Sequence, residues 1–191
     1  MSDAYARRRR QRTFVVYVED KPGVLNRVAS LFRRRSYNID SLTVGRTHQA
    51  GVSRMTIVLE GDDDSARRIE ANLYKLVNVL RVDDITARPS VTRDLALIKV
   101  KATPTERASV LQICEVFRAR VVDVAQATLT VEITGTQDKI DGLVTVLEPF
   151  GITEMVQSGA IAMLRGGDAD PAIEERAAAT QLRAGNNAAV A

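Results

Sequence analysis

The sequence is nearly empty of the residues that carry covalent or metal chemistry: it holds one cysteine, Cys114, one histidine, His48, and no tryptophan. A lone cysteine excludes a disulfide framework, and one Cys with one His leaves no metal cluster of those ligands. Cys114 falls on the apolar face of a predicted helix and reads as a core thiol. His48 sits in the polar stretch Arg46-Thr47-His48-Gln49-Ala50-Gly51, read as a hairpin loop, and the sequence places no acid or nucleophile beside it. No apolar run approaches the ~20 residues that span a bilayer, and the Arg-rich start lacks the apolar segment of a secretory leader. A cytoplasmic protein without a membrane partner is expected. Aromatic residues make up only 4% of the chain, thin for a protein that stacks nucleic-acid bases.

The chain has 191 residues, 45% of them hydrophobic, which is enough for two small domains with real cores. Its net charge is +3, and much of the excess is local. Arg7-Arg8-Arg9-Arg10 and Arg12 are expected to form a basic flexible arm over residues 1–12. Charge of this kind bears on solubility and encounter rather than on fold, so no nucleic-acid partner is inferred.

The informative stretch runs from residue 19 to 45. An apolar strand over 13–18 stops at Asp20-Lys21-Pro22-Gly23, and Val24, Leu25, Val28, Leu31 and Phe32 then follow with helical spacing. The first N–H groups of a helix lack intrahelical partners and carry the positive end of its dipole, so this turn can seat a carboxylate. Gly23 lets a ligand approach the main chain, and Pro22 fixes the turn without adding a donor. Asn38, in a strand expected over 37–44 that can run beside the first, carries both donors and an acceptor, a match for an ammonium and a carboxylate together. A free amino acid is the natural guest.

The rest of the first domain, placed at 13–89, follows in order. A strand is expected over 52–60, with Met55, Ile57 and Leu59 on a core face and Arg54 and Thr56 on the other. Asp62, Asp63, Asp64 and Ser65 cap a helix whose buried stripe is Ala66, Ile69, Leu73 and Leu76. A fourth strand over 77–85 ends near Pro89. The order βαββαβ is that of a ferredoxin-like plait, giving an α+β fold class.

A second copy occupies 90–165. Its first strand, 95–102, leads into Thr103-Pro104-Thr105-Glu106, read as a capping box with Pro at the first helical position. A helix carrying Val110, Ile113, Cys114 and Phe117 follows. Next come strands over 121–125 and 128–134, a helix with Ile140, Leu143, Val144 and Leu147 ended by Pro149, and a last strand over 152–157. The strand-to-helix junction of this copy has no glycine, so the ligand seat is placed in the first domain only. Residues 166–191 read as a flexible tail, with at most a loose helix over 174–182.

Val18-Glu19-Asp20-Lys21-Pro22-Gly23-Val24-Leu25-Asn26-Arg27-Val28 followed by Tyr37-Asn38-Ile39-Asp40-Ser41-Leu42-Thr43-Val44-Gly45 resembles the amino-acid-binding ACT domain of the acetolactate synthase (acetohydroxyacid synthase) small regulatory subunits. Ser53 to Ile57, Lys75 to Val82 and Leu97 to Ala102 extend the likeness to about residues 13–165. Asp-x-Pro-Gly-x-Leu alone marks only some ACT domain; the later blocks narrow it. Ser36 departs from the pattern, standing where the family usually has Gly, so a strained or reshaped helix exit is expected.

The resemblance implies a regulatory subunit with no catalytic residues and no metal or cofactor of its own. Its partner would be the large catalytic subunit, which uses thiamine diphosphate, Mg²⁺ and FAD. The implied ligand is valine or another branched-chain amino acid, held where two ACT domains of a homodimer meet. The expected contacts are the turn Asp20, Lys21, Pro22, Gly23, Val24 and Leu25, whose main-chain N–H groups (Pro22 has none) hold the carboxylate, Asp20 and Asn38 on the ammonium, and Val24, Leu25 and Ile39 on the aliphatic chain. The alternatives are another ACT-type amino-acid sensor, an RNA-binding plait, which would need aromatics on its central strands, and an acylphosphatase-like enzyme, for which no nucleophile and base are paired.

Overall fold

The computed structural model describes residues 10–166. Residues 1–9 of the expected arm and the stretch over 174–182 lie outside the described residues. The chain divides into two compact units. One takes residues up to Val91 and resumes at Ala162, and the other is Thr92–Ile161.

In the first unit β1 (Arg10–Glu19), α1 (Val24–Arg34), β2 (Ser41–Arg46), β3 (Val52–Gly61), α2 (Asp63–Leu73) and β4 (Val79–Asp84) follow one another. The sheet order is β2-β3-β1-β4. β1 pairs antiparallel with β3 from Arg10 opposite Gly61 to Glu19 opposite Val52. Alternation along these strands sends Phe14, Val16, Val18, Met55, Ile57 and Leu59 to one face. There they meet Val24, Val28, Leu31 and Phe32 of α1 and Ala66, Ile69 and Leu73 of α2 in one core. Each such side chain, once fully buried, stabilises the fold by about 1.5–3 kcal/mol. Asp62 caps α2 by accepting the Ser65 N–H at 2.7 Å.

Three expectations need correction here. The strand β1 starts at Arg10, so the end of the basic arm is paired backbone. Arg12 is only 4% exposed. Its guanidinium pairs with Asp63, lies 3.5 Å from Asp84 and donates to the Gly61 carbonyl at 3.4 Å. The Arg12 hydrogen bond and charge beside Asp63 hold that carboxyl below its ordinary value. Residues that read as helix caps thus also neutralise a buried cation.

Second, β3 is buried on both faces: Thr56 and Val58 are covered as well as Met55 and Ile57. A small second core of Val15, Ile85 and Ala162, flanked by Tyr17 and Leu164, lies on the reverse side of the sheet. Third, β2 begins at Ser41 rather than at Tyr37, and β3 lies between it and β1. Helix α1 closes with Tyr37 N–H on the Phe32 carbonyl and Ser36 N–H on the Arg33 carbonyl, both 3.1 Å. That is a Schellman motif, with Ser36 in the left-handed position at φ 55. The Phe32 and Tyr37 rings meet edge-on at 6.3 Å, and Ile39 packs on the core, which keeps this segment off the ladder until Asp40 N–H reaches Val58 at 2.9 Å.

The second unit repeats the order. β5 (Ser90–Lys101), α3 (Arg107–Phe117), β6 (Arg120–Val124), β7 (Thr128–Gly135), α4 (Gln137–Leu147) and β8 (Ile152–Gln157) form a sheet in the order β6-β7-β5-β8. Ile98, Val100, Val110, Leu129, Val131, Ile140, Leu143 and Leu147 form its core, with Cys114 among them. Burial pushes the Cys114 thiol up from its ordinary value, the state of an unreactive core cysteine. Helix α3 starts at Arg107, three residues later than Pro104 suggested. One strand was not foreseen: β9 (Ile161–Leu164) pairs with β5, and Ala162 contributes to the reverse-side core of the first unit.

Candidate ligand-binding site

Pro22 and Gly23 occupy the two central positions of a turn closed by Val24 N–H on the Lys21 carbonyl at 3.4 Å. Gly23 has φ 80 and ψ −5, the third-residue conformation of a type II turn, which admits glycine without strain. A Cβ at Gly23 would meet nothing within 4 Å, so open space lies over the main chain. No side chain caps α1, and the first intrahelical bond is Arg27 N–H to the Gly23 carbonyl at 3.0 Å. The N–H groups of Leu25 and Asn26 therefore face outward at the positive end of the helix.

The flanking side chains are placed unequally. Asp20 is exposed, accepts the Ser53 hydroxyl at 3.1 Å and pairs with Arg46 at 3.1 Å. Lys21 reaches back to Glu19 at 3.0 Å. Leu25 is 45% exposed and free to contact a ligand, whereas Val24 is 4% exposed in the core. The aliphatic contact expected of Val24 is thereby corrected: it offers the turn its backbone, because its side chain continues the buried stripe of α1. Ile39 likewise packs on the core, and Asn38 is exposed, its amide donating to Asp40 at 3.3 Å.

Asn38 and the turn do not meet within one chain. Ser41 pairs with Val58, which pairs with Thr13, whereas the turn follows Glu19 opposite Val52. Six residues of extended strand separate those levels, about 20 Å at ~3.3 Å per residue. Asn38 and Ile39 thus precede the end of the sheet opposite to the turn.

Sequence reasoning missed a polar network behind the turn. Asn78, only 8% exposed, donates its amide to Glu19 at 2.6 Å and accepts a hydrogen bond from Arg27. Burial raises the Glu19 carboxyl, but the hydrogen bonds from Asn78 and Lys21 and the charges of Lys21 and Arg27 outweigh it and hold the group below its ordinary value. Lys75 to Val82 carries part of the family resemblance, yet nothing in its spacing shows Asn78 reaching residues 51 and 59 positions away. His48 is exposed in the hairpin between β2 and β3, as expected. Among the described residues no cluster of three His, Cys, Asp or Glu side chains is placed to hold a metal, and no helix is long and apolar enough to cross a membrane.

Residues 14–81 match the family described as the AHAS small subunit-like ACT domain, and residues 93–166 match that of the small subunit of acetolactate synthase. The chain belongs to the acetolactate synthase small-subunit family. The acetolactate synthase small subunit of Mycolicibacterium smegmatis is 50% identical over 154 residues, covering 81% of this chain and 91% of that one. A probable acetolactate synthase small subunit of Archaeoglobus fulgidus is 46% identical, covering 81% and 96%. The crystal structure of the Thermotoga maritima small subunit superimposes with a TM-score of 0.77 at 35% identity, covering 83% of this chain and 99% of that one. The first unit is accordingly an ACT domain, and the fold is α+β with two ferredoxin-like plaits.

Proposed function

We propose that this chain is the regulatory subunit of a thiamine-diphosphate-dependent acetolactate synthase and has no catalytic residues of its own. It binds the large catalytic subunit, which carries the thiamine diphosphate, Mg²⁺ and FAD, and raises its activity. A branched-chain amino acid, valine first among them, makes that activity subject to feedback. The supporting observation is the turn at Gly23, where an open main chain and two outward N–H groups form a seat for a carboxylate.

A homodimer completes the seat. The separation of Asn38 from the turn is what a two-fold pairing of first units needs, since antiparallel copies bring opposite ends together. Asn38 and Ile39 of one protomer then close over the turn of its partner, and Asp20 and Leu25 contribute from the turn itself. A ligand shared between chains biases their arrangement, and a bias of about 1–3 kcal/mol between two states of the complex changes activity appreciably.

The test is calorimetry of the purified chain with valine, leucine and isoleucine, together with acetolactate formation by the large subunit from the same source. Binding of at least one amino acid, stimulation by the chain and its reversal by that amino acid are expected. A chain that ignores all three and leaves the large subunit unaffected refutes the reading.

A further inference from the structure

The two units make the same main-chain bonds where their first strands end. Glu19 N–H donates to the Asn78 carbonyl at 2.9 Å and Asp20 N–H to Gly51 at 2.8 Å. In the second unit Lys101 N–H donates to Gly151 at 3.0 Å and Ala102 N–H to Ala127 at 2.9 Å. Asn78 and Gly151 therefore hold equivalent places, as do Glu19 and Lys101. Gly151 makes its bond at φ 90, a conformation Asn78 does not share, so the two places accept the same strand N–H through different local backbones.

Only the unit with the Gly23 turn has a side chain at that place. The Asn78 amide donates to Glu19, the last residue of β1, and its carbonyl oxygen accepts from Arg27, whose own N–H closes the first turn of α1 on Gly23. Glu19 in turn holds Lys21 at 3.0 Å. One side chain thus ties together the strand before the turn, the turn and the helix after it. With Asn78 and Glu19 largely buried, these bonds are strengthened by exclusion of water.

We infer that Asn78 is a positioning residue for the amino-acid seat: it sets the distance between the end of β1 and the start of α1, and so the aim of the Leu25 and Asn26 N–H groups. This rests on the reading of the Asp20–Leu25 turn as a ligand site. Donors aimed at a small anion tolerate displacements of only about 0.5 Å. The coupling is reciprocal, so an occupied seat also steadies the connection between α2 and β4 in which Asn78 lies.

Valine titrations of the full chain by calorimetry, well below its thermal midpoint, test the assignment. Asn78→Gly removes both side-chain bonds and is expected to fold with a lowered melting midpoint and, titrated below that midpoint, to lose at least tenfold in affinity. Asn78→Asp keeps the acceptor for Arg27 but sets a carboxylate against Glu19, and should lose as much. Adding Glu19→Gln restores a donor and acceptor across that pair and should bring affinity back to within about threefold of wild type. Hydrogen exchange over residues 76–79 should slow on adding valine to the wild type. Unchanged affinity in Asn78→Gly, or no recovery in a folded double variant, overturns the assignment. If the wild type binds none of valine, leucine and isoleucine, the reading of the turn fails first, and the wild-type titration alone separates that outcome.

Discussion

At the end of β1 the chain enters α1 through Pro22-Gly23, with no side chain over the first helical turn. At the end of β5 it enters α3 through Thr103-Pro104-Thr105, and Glu106 folds back to accept the Thr103 N–H at 3.0 Å and its hydroxyl at 2.7 Å. Arg107 then donates to the carbonyls of Ala102, Ala125 and Gln126. Neither helix has a side-chain cap on its first turn, so the copies differ in what precedes the helix: a glycine turn with open space over it in one, a hydrogen-bonded Thr103–Glu106 loop in the other. A fold repeated in tandem can keep its core pattern in both copies while a glycine and a few polar side chains decide how the main chain enters the helix.

The largest expected effect breaks the comparison at its open end. Gly23→Asp meets no protein atom, but it sets a carboxylate where the ligand's own would sit, on a backbone at φ 80 that strains any L residue. Valine binding by calorimetry should fall more than a thousandfold, about 4 kcal/mol, with activation of the large subunit retained. Normal valine binding would remove the distinction between the two junctions.

The second test concerns the opposite end of the first sheet. Arg12→Ala removes a 4%-exposed guanidinium that pairs with Asp63 and Asp84 and should clearly lower the midpoint of denaturant unfolding. Arg10→Ala, at a half-exposed site, should change stability by less than about 0.5 kcal/mol. The second unit has no such cation at its matching place, where Asp94 accepts the Ser158 hydroxyl at 2.9 Å.

Where the copies agree, substitutions should agree. Both α1 and α3 close through a residue other than glycine in the left-handed region, Ser36 at φ 55 and Arg118 at φ 51. Ser36→Gly and Arg118→Gly should each stabilise by about 1 kcal/mol, and add when combined. The smallest effect is at Glu106. Its carboxyl is held below its ordinary value by the Thr103 hydroxyl and N–H. That contribution is complete above the ordinary glutamate range and is lost as pH falls through the lowered folded value. Glu106→Gln should flatten this slope in thermal melts between neutral and acid pH and leave valine binding untouched.

What the sequence determined by itself is local or periodic. The 3.6-residue stripe of α1, the extent of β3 and the Asp62 cap of α2 depend on neighbours a few positions away. So does the Pro22-Gly23 turn, and all of these formed where the residues indicated. Ser36 was legible only against the family pattern, which has Gly at that helix exit, and its left-handed φ of 55 bears out the strain expected there. Only the tertiary structure decided which distant groups meet. Arg12 became a buried ion partner because β1 pairs with β3 back to Gly61. Asn38 landed at the far end of the sheet because α1 carries the chain back and β2 then runs parallel to β1, both antiparallel to β3. Asn78 reached Glu19 and Arg27 because β4 pairs beside β1. Such contacts join residues dozens of positions apart, and hydrophobic spacing carries no record of them, since it reports which face of an element is buried and not what waits there.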